Sequence, residues 1–278
     1  MRCFELPQEP SEFKLAKQRL LNSTQHPIAN WLEQFGSTAM LASQLKSLTN
    51  EQRSALAKLI PLLLCGEQSA VHIFNQESMR LYQNVIANND QQAQLDYTQA
   101  LTTLANIEAD ERYHEQALQH ILAALPADKE QHKIKRQAQL FYTQIAHNTA
   151  TLAEHFQMIA KLDRCVCILM DAVSKSSLQG TELAKLFELI KKDEAKHVGF
   201  ARKHSLLLQS HDAKAATEQL SFDVQSRLVS LLKTHSATFE HLQIDSQALF
   251  ERLLYQPFNQ LFHQQSSSLH QPLQDFNE

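Results

Sequence analysis

At 278 residues, 43% of them hydrophobic and 20% charged, the chain has ordinary globular composition and enough apolar material for a sizeable core. A formal charge of −4 and a pI near 6.4 supply no basic field for nucleic acid, and no run of about 18 apolar residues is present to span a membrane. The opening stretch MRCFELPQEPSEF lacks the basic-then-apolar order of a secretory signal, which points to the cytoplasm and to four reduced cysteines.

With only four glycines, and seven prolines mostly at plausible helix ends as in HPIANWL and LPADKEQ, the sequence predicts an all-α protein forming a single domain over 1–278. Residues 1–50 are expected to hold one or two packing helices, including a stretch around Ile28, Trp31, Leu32 and Phe35. From Leu59 a helical stripe follows through Ile60, Leu63, Leu64, Glu67, Val71, Phe74, Leu81 and Val85, ending near NND at 88–90. The next helix carries Leu101, Leu104, Ile107, Glu111, His114, Leu118, Ile121 and Leu125 and stops at Pro126. In both helices an acid sits inside the apolar face.

Residues 129–146 read as a further helix. Thr151 and Glu154 then have the spacing of a capping box, opening a long helix to about Val173. Its Cys165 and Cys167 point to different faces, a poor metal clamp, and are read as small core residues. After a turn at SKSSLQG, Thr181 is a credible N-cap for the helix carrying Leu183, Leu186, Phe187, Ile190, Glu194, His197, Ala201 and Leu208. The metal-binding part is thus expected over 51–210. Two more patterns, near 217–240 and 245–263 within a C-terminal region of 211–263, have apolar stripes such as Leu228, Leu231 and Leu232 without embedded acids. Packing, or pairing in a homodimer, is their expected role; 264–278 reads as a flexible tail.

An isolated buried carboxylate is strongly disfavoured unless it is paired, hydrogen-bonded or bound to a metal. Glu111-Arg-Tyr-His114 and Glu194-Ala-Lys-His197 repeat one pattern, and residues three apart share a helix face, so each pair can present an oxygen and a nitrogen to one metal. One such pair alone is commonly a solvated contact; two, each inside an apolar stripe, are not. A carboxylate from each remaining helix would bridge or complete a binuclear centre. Hairpin partners lie equidistant from the turn, so a turn near 178 maps Glu194 onto Asp163, and a turn near 89 or 90 maps Glu111 onto Glu67. Glu77 would replace Glu67 only if the first turn lay nearer 94, and Glu154 lies roughly 13 Å too far along its helix at 1.5 Å per residue. Around these, Glu108, Glu115 and Asp193 are expected either to accept from ligand histidines or to face water, and His72 to be a hydrogen-bonded interior histidine. Tyr113 should point to another face, with His120, His132 and His204 on the surface.

ADERYHEQAL and KKDEAKHVGFARK resemble the DE-x-x-H helices of the ferritin-like di-iron carboxylate superfamily, which includes rubrerythrin, the ribonucleotide reductase small subunit and the p-aminobenzoate N-oxygenase group. The likeness covers roughly residues 59–208. It implies a ferritin-like four-helix bundle with additional N- and C-terminal helices, and a metal centre of two iron ions, or manganese or a mixed pair. Its metal-binding and catalytic residues would be Glu67, Glu111, His114, Asp163, Glu194 and His197. Ile190 stands where the N-oxygenase group carries an extra histidine, and the cysteine quartet of rubrerythrin is absent. The implied function is an O2-activating non-haem di-iron oxidase or oxygenase acting on a small organic substrate, with an electron donor the sequence does not name. Iron oxidation or peroxide detoxification is the alternative, and a non-catalytic helical interaction module, its acids and histidines forming buried hydrogen-bond networks, is a third reading.

Overall fold

The computed structural model describes residues 2–5, 8–21, 26–87, 91–211 and 223–255. Among these it is all-α, with eleven helices and no strand. Three short helices, α1 (Ser11–Leu20), α2 (Pro27–Phe35) and α3 (Thr38–Lys46), precede the long ones, where one or two were expected. The extra break falls at Gly36 and Ser37, whose hydroxyl accepts from the Met40 N–H and starts α3. The long helices are α4 (Asn50–Ala87), α5 (Gln91–Ala124), α7 (Leu152–Ser174) and α8 (Glu182–His211), with α6 (Gln131–His147) between the pairs.

Local signals account for most boundaries. Thr151 and Glu154 form the expected capping box, each side chain meeting the other residue's backbone N–H at 3.2 Å. Thr181 accepts from Ala184 at the start of α8, after a turn in which Gly180 takes φ +84°, a conformation that suits a residue without Cβ. Helix α4 begins at Asn50, ahead of the apolar period at Leu59, and runs through Pro61, whose missing N–H leaves the Ala57 carbonyl without its helical donor. Ala55, Leu56, Leu59, Ile60, Leu62 and Leu63 are all buried around that point, so packing holds the helix through the defect.

Helices α4 and α5 pack along one another as one hairpin and α7 and α8 as another; α5 also meets α8, and α6 lies against α4 and α7. Two apolar clusters form within this frame. One gathers Leu56, Ile60, Leu118, Ile121, Phe187 and Ile190, the other Phe74, Leu104, Ile107, Phe156 and Ala201. In sequence, the acids and histidines of α4, α5 and α8 fall between the two sets. Helices α1, α2 and α3 cover α5, and α2 reaches α8. The C-terminal region forms α9 (Val224–Lys233), α10 (Ser236–His241) and α11 (Ser246–Tyr255), packed on α4, α6 and α7. Leu228 and Leu232 are buried within the chain itself. The anticipated tail, 264–278, lies outside the described residues.

Among the described residues, no helix is long and apolar enough to cross a membrane.

Candidate metal centre

Helix α4 ends at Ala87 and α5 begins at Gln91, either side of the 88–90 stretch where hairpin counting set the turn and which lies outside the described residues, and Glu67 faces the first histidine. Glu67 Oε2 lies 3.1 Å from His114 Nδ1. Glu111, His114, Glu194 and His197 are at most 3% exposed, Glu67 4% and Asp163 7%, so all six expected residues are interior.

The two Glu-x-x-His pairs meet across α5 and α8. Glu111 reaches His114 Nδ1 with Oε2 at 3.6 Å and His197 Nδ1 with Oε1 at 3.1 Å. Glu194 does the same, Oε1 lying 3.5 Å from His114 Nδ1 and Oε2 3.7 Å from His197 Nδ1. Each of these glutamates therefore spans both imidazoles, while Glu67 attends His114. Glu67, Glu111, His114 and Glu194 bring ligand atoms within 4.8 Å of one another, an arrangement able to hold a metal ion. Asp163 shares a cavity wall with Glu67, Glu111 and Glu194.

The electrostatics expose the cost of this arrangement without a cation. Burial lifts Glu67 and Asp163 well above the carboxylate range, and the charges of Glu111 on Glu67 and of Glu194 on Asp163 add to the rise. Burial pushes Glu111 the same way, but its close contacts with Glu67, His114 and His197 override it and hold that carboxyl below its usual range. Both histidines would be lowered by burial; the charge of Glu67 raises His114, and contacts with Asp110 and Glu111 raise His197. Even so, Glu111 Oε2, Asp163 Oδ2 and His197 Nδ1 are buried without a hydrogen-bond partner. Buried polar atoms in folded proteins nearly always have a partner, and here a water or a cation could supply it. Glu67, Glu111, His114 and Glu194 thus offer three carboxylates and an imidazole, with no thiol, to a metal ion.

The aspartate preceding each glutamate supports the other helix's histidine. Asp110 Oδ2 lies 3.3 Å from His197 Nε2, and Asp193 Oδ2 lies 3.5 Å from His114 Nε2. The cross-helix role anticipated for Asp193 thus has a counterpart at Asp110, which the sequence reading passed over although the same DE doublet advertised it. Glu108 and Glu115 are buried but serve neither alternative expected of them: Glu108 is held by Lys17 and Arg112, Glu115 by Arg2, Gln68 and Gln119. Glu77 is buried too, closed by Arg80 and by His204, which is interior and not on the surface as expected. Glu154 is used up as a cap. His120 and His132 are exposed, and Cys165 is buried.

Beside the carboxylates lies a cavity of about 50 Å³ walled by Leu63, Ala70, Ile73, Ile145, Ile159, Leu162 and Val166. Ser69, Tyr142 and His155 add the other polar groups, and Gly66 lines it as well. A Cβ at position 66 would stand 2.6 Å from the Tyr142 hydroxyl oxygen, so the tyrosine occupies its place because residue 66 lacks a side chain.

No family model, curated protein or solved structure matches this chain. The functional reading rests on the site.

Proposed function

We propose that this protein is a non-haem di-iron oxidase or oxygenase that activates O2 for the conversion of a small organic substrate, in a bundle of the ferritin-like kind. The observation that carries the reading is that Glu111 and Glu194 each address both buried imidazoles with separate oxygens, so that these four side chains would together hold a pair of cations. Glu67 then completes the His114 half and Asp163 the His197 half. Two ferrous ions, when bound, supply the electrons for reducing dioxygen; manganese or a mixed pair suits the same donors.

The chain's own residues do the rest. Glu111 and Glu194 fix the spacing of the two half-sites. Asp110 and Asp193 orient the imidazoles from behind, presenting Nδ1 inward. The aliphatic wall keeps bulk water out, and the Tyr142 hydroxyl and His155 imidazole offer hydrogen bonds to what enters.

The cavity volume favours a second reading. About 50 Å³ accommodates dioxygen or peroxide, whereas pockets for larger organic ligands usually measure about 300–1,000 Å³. Iron oxidation or peroxide removal would need no organic substrate.

The test is anaerobic reconstitution with ferrous iron followed by oxygen. The expected wild-type protein holds two irons per chain and consumes O2 in a single turnover that candidate amines, acids or aldehydes accelerate. Turnover indifferent to all of them supports the second reading, and a chain that takes up no metal sinks both in favour of a non-catalytic helical module. Glu111→Ala and His197→Ala should each abolish stoichiometric uptake.

A further inference from the structure

His26 stands behind the centre, on its N-terminal side. It is the residue before Pro27 and caps α2, its Nδ1 accepting the Ile28 N–H at 3.2 Å. Its Nε2 lies between the two motif aspartates, 3.1 Å from Asp110 Oδ1 and 3.4 Å from Asp193 Oδ2. Tyr113 stacks on the ring at 4.7 Å and an interplanar angle of 7°, fixing its plane. A chain of contacts therefore forks from one ring: through Asp110 to His197, and through Asp193 to His114.

We propose that His26 is a positioning residue that ties the two motif aspartates together, so that one side chain of the N-terminal arm sets the imidazole orientation of both half-sites at once. The inference rests on the metal reading above. Its geometry decides against the other use of the same three groups, a third metal ion held by His26, Asp110 and Asp193, whose ligand atoms also cluster within 4.8 Å. The Ile28 N–H on Nδ1 requires a lone pair there in the neutral ring, which leaves the proton on Nε2. A metal at Nε2 would move that proton to Nδ1, against the Ile28 N–H, and break the cap. With its proton in place, Nε2 faces two carboxylates as a shared donor. Each aspartate needs such a counterweight, since each is drawn toward a different helix: Asp193 is also held by Lys196 at 2.7 Å, whereas Asp110 has His26 and His197.

Capping and clamping can be separated by substitution. Asparagine has an oxygen where histidine has Nδ1, so His26→Asn keeps the helix cap and deletes the donor that reaches the aspartates. Glutamine extends an N–H toward the position of Nε2. The probe is Co(II), titrated into metal-free full-length protein, with affinity, stoichiometry and the visible ligand-field spectrum as readouts. Two cobalt ions per chain are expected in every case. His26→Asn should bind both ions about tenfold more weakly, the lower end of the range for groups that orient ligands, with a shifted spectrum and an unchanged melting temperature before metal is added. His26→Gln should recover most of the affinity and the wild-type spectrum, which a purely structural loss would not do.

Wild-type affinity and spectrum in His26→Asn would overturn the clamp. So would a wild-type stoichiometry of three falling to two in that variant with the remaining ions undisturbed, since His26 would then be a ligand. If His26→Asn fails to fold, the comparison of His26→Gln with wild type decides, equal spectra supporting the clamp and loss of one ion opposing it. Wild-type protein that binds no cobalt overturns the metal reading itself, and the clamp with it.

Discussion

Glutamate and histidine meet in the interior at two levels of the bundle, with opposite outcomes. At the first, Glu77 meets His204 at 2.6 Å and Arg80 adds two hydrogen bonds at 2.6 Å, so both carboxylate oxygens are occupied by the chain's own donors. At the second, the ion pairs of Glu67, Glu111 and Glu194 run to the same two histidines, and Asp163 makes none. Three acids share two bases on this side, with Asp163 a fourth beside them and no donor of its own. A buried glutamate–histidine contact is therefore no sign of a metal by itself; what distinguishes the second level is an excess of acid over the donors that face it. Arg80 makes the difference at the first level, since its guanidinium supplies the donors that a cation would have to replace at the second.

The sharpest way to break this contrast is Glu111→Ala. It removes the carboxylate that addresses both imidazoles, and uptake of iron should fall from two per chain to below one, as read by metal analysis. The Glu77 level should be untouched. Retained stoichiometric iron would mean that the surplus acids do not serve a metal.

Glu77→Ala should do the reverse. Removing one partner from a buried ion pair costs about 3–5 kcal/mol; the Arg80 side chain is 41% exposed and regains water, which favours the lower end. A fall in Tm on the order of 6–10 °C is expected by calorimetry, with iron stoichiometry unchanged. Burial would raise the Glu77 pKa, but hydrogen bonds from Arg80 and His204 outweigh it and lower it. Its contribution to stability is therefore present above the ordinary carboxylate pKa of about 4.3 and is lost as pH falls through the lowered value. The acid limb of the wild-type stability profile should flatten in Glu77→Gln.

Much of this contrast was legible beforehand. Glu111, His114, Glu194 and His197 interrupt apolar stripes at helical spacing, and counting from the turns added Glu67 and Asp163, because hairpin register is a matter of rise per residue. Register could not reveal that Glu111 and Glu194 span both histidines, which depends on side-chain rotamers and helix separation. Glu77 looked solvated in NQESMR because its partners lie on opposite scales: Arg80 one turn away, and His204 across the molecule on α8. His26 was hidden for a similar reason. HPIANWL marks a helix start, but nothing local says that the start lands on Asp110 and Asp193. One or two N-terminal helices and two C-terminal patterns were expected where the described residues hold three and three, the extra breaks falling at Gly36–Ser37 and between α9 and the six-residue α10.

If the excess of acid is a cost borne by the metal-free fold, relieving it should stabilise that fold while harming binding. Asp163→Asn removes a carboxyl that burial and the charge of Glu194 hold well above its usual range. Metal-free protein should gain about 1–2 kcal/mol, seen as a rise of some 2–4 °C in Tm, while affinity at the His197 half drops at least tenfold. At the Glu77 level no substitution should show this opposition of sign. A fall in the melting temperature of metal-free Asp163→Asn would place that carboxylate among ordinary structural acids.

The smallest effect on stability is expected at Gly66, where the centre borders its cavity. An added Cβ would stand 2.6 Å from the Tyr142 hydroxyl oxygen and 3.2 Å from its Cζ, so the phenol must swing aside. Alanine gains about 0.5–1 kcal/mol over glycine within a helix, which offsets the displacement, and Tm should stay within about 2 °C of wild type. Iron stoichiometry and the Glu77–Arg80–His204 contacts should be unchanged. What changes is the wall of the 50 Å³ space, and the single-turnover O2 rate should fall several-fold. Tyr142→Phe removes the colliding oxygen. In the double variant the cost of Gly66→Ala should shrink, giving a coupling between the two positions that a double-mutant cycle reads directly. Strict additivity would mean that the glycine does not hold the cavity open through Tyr142.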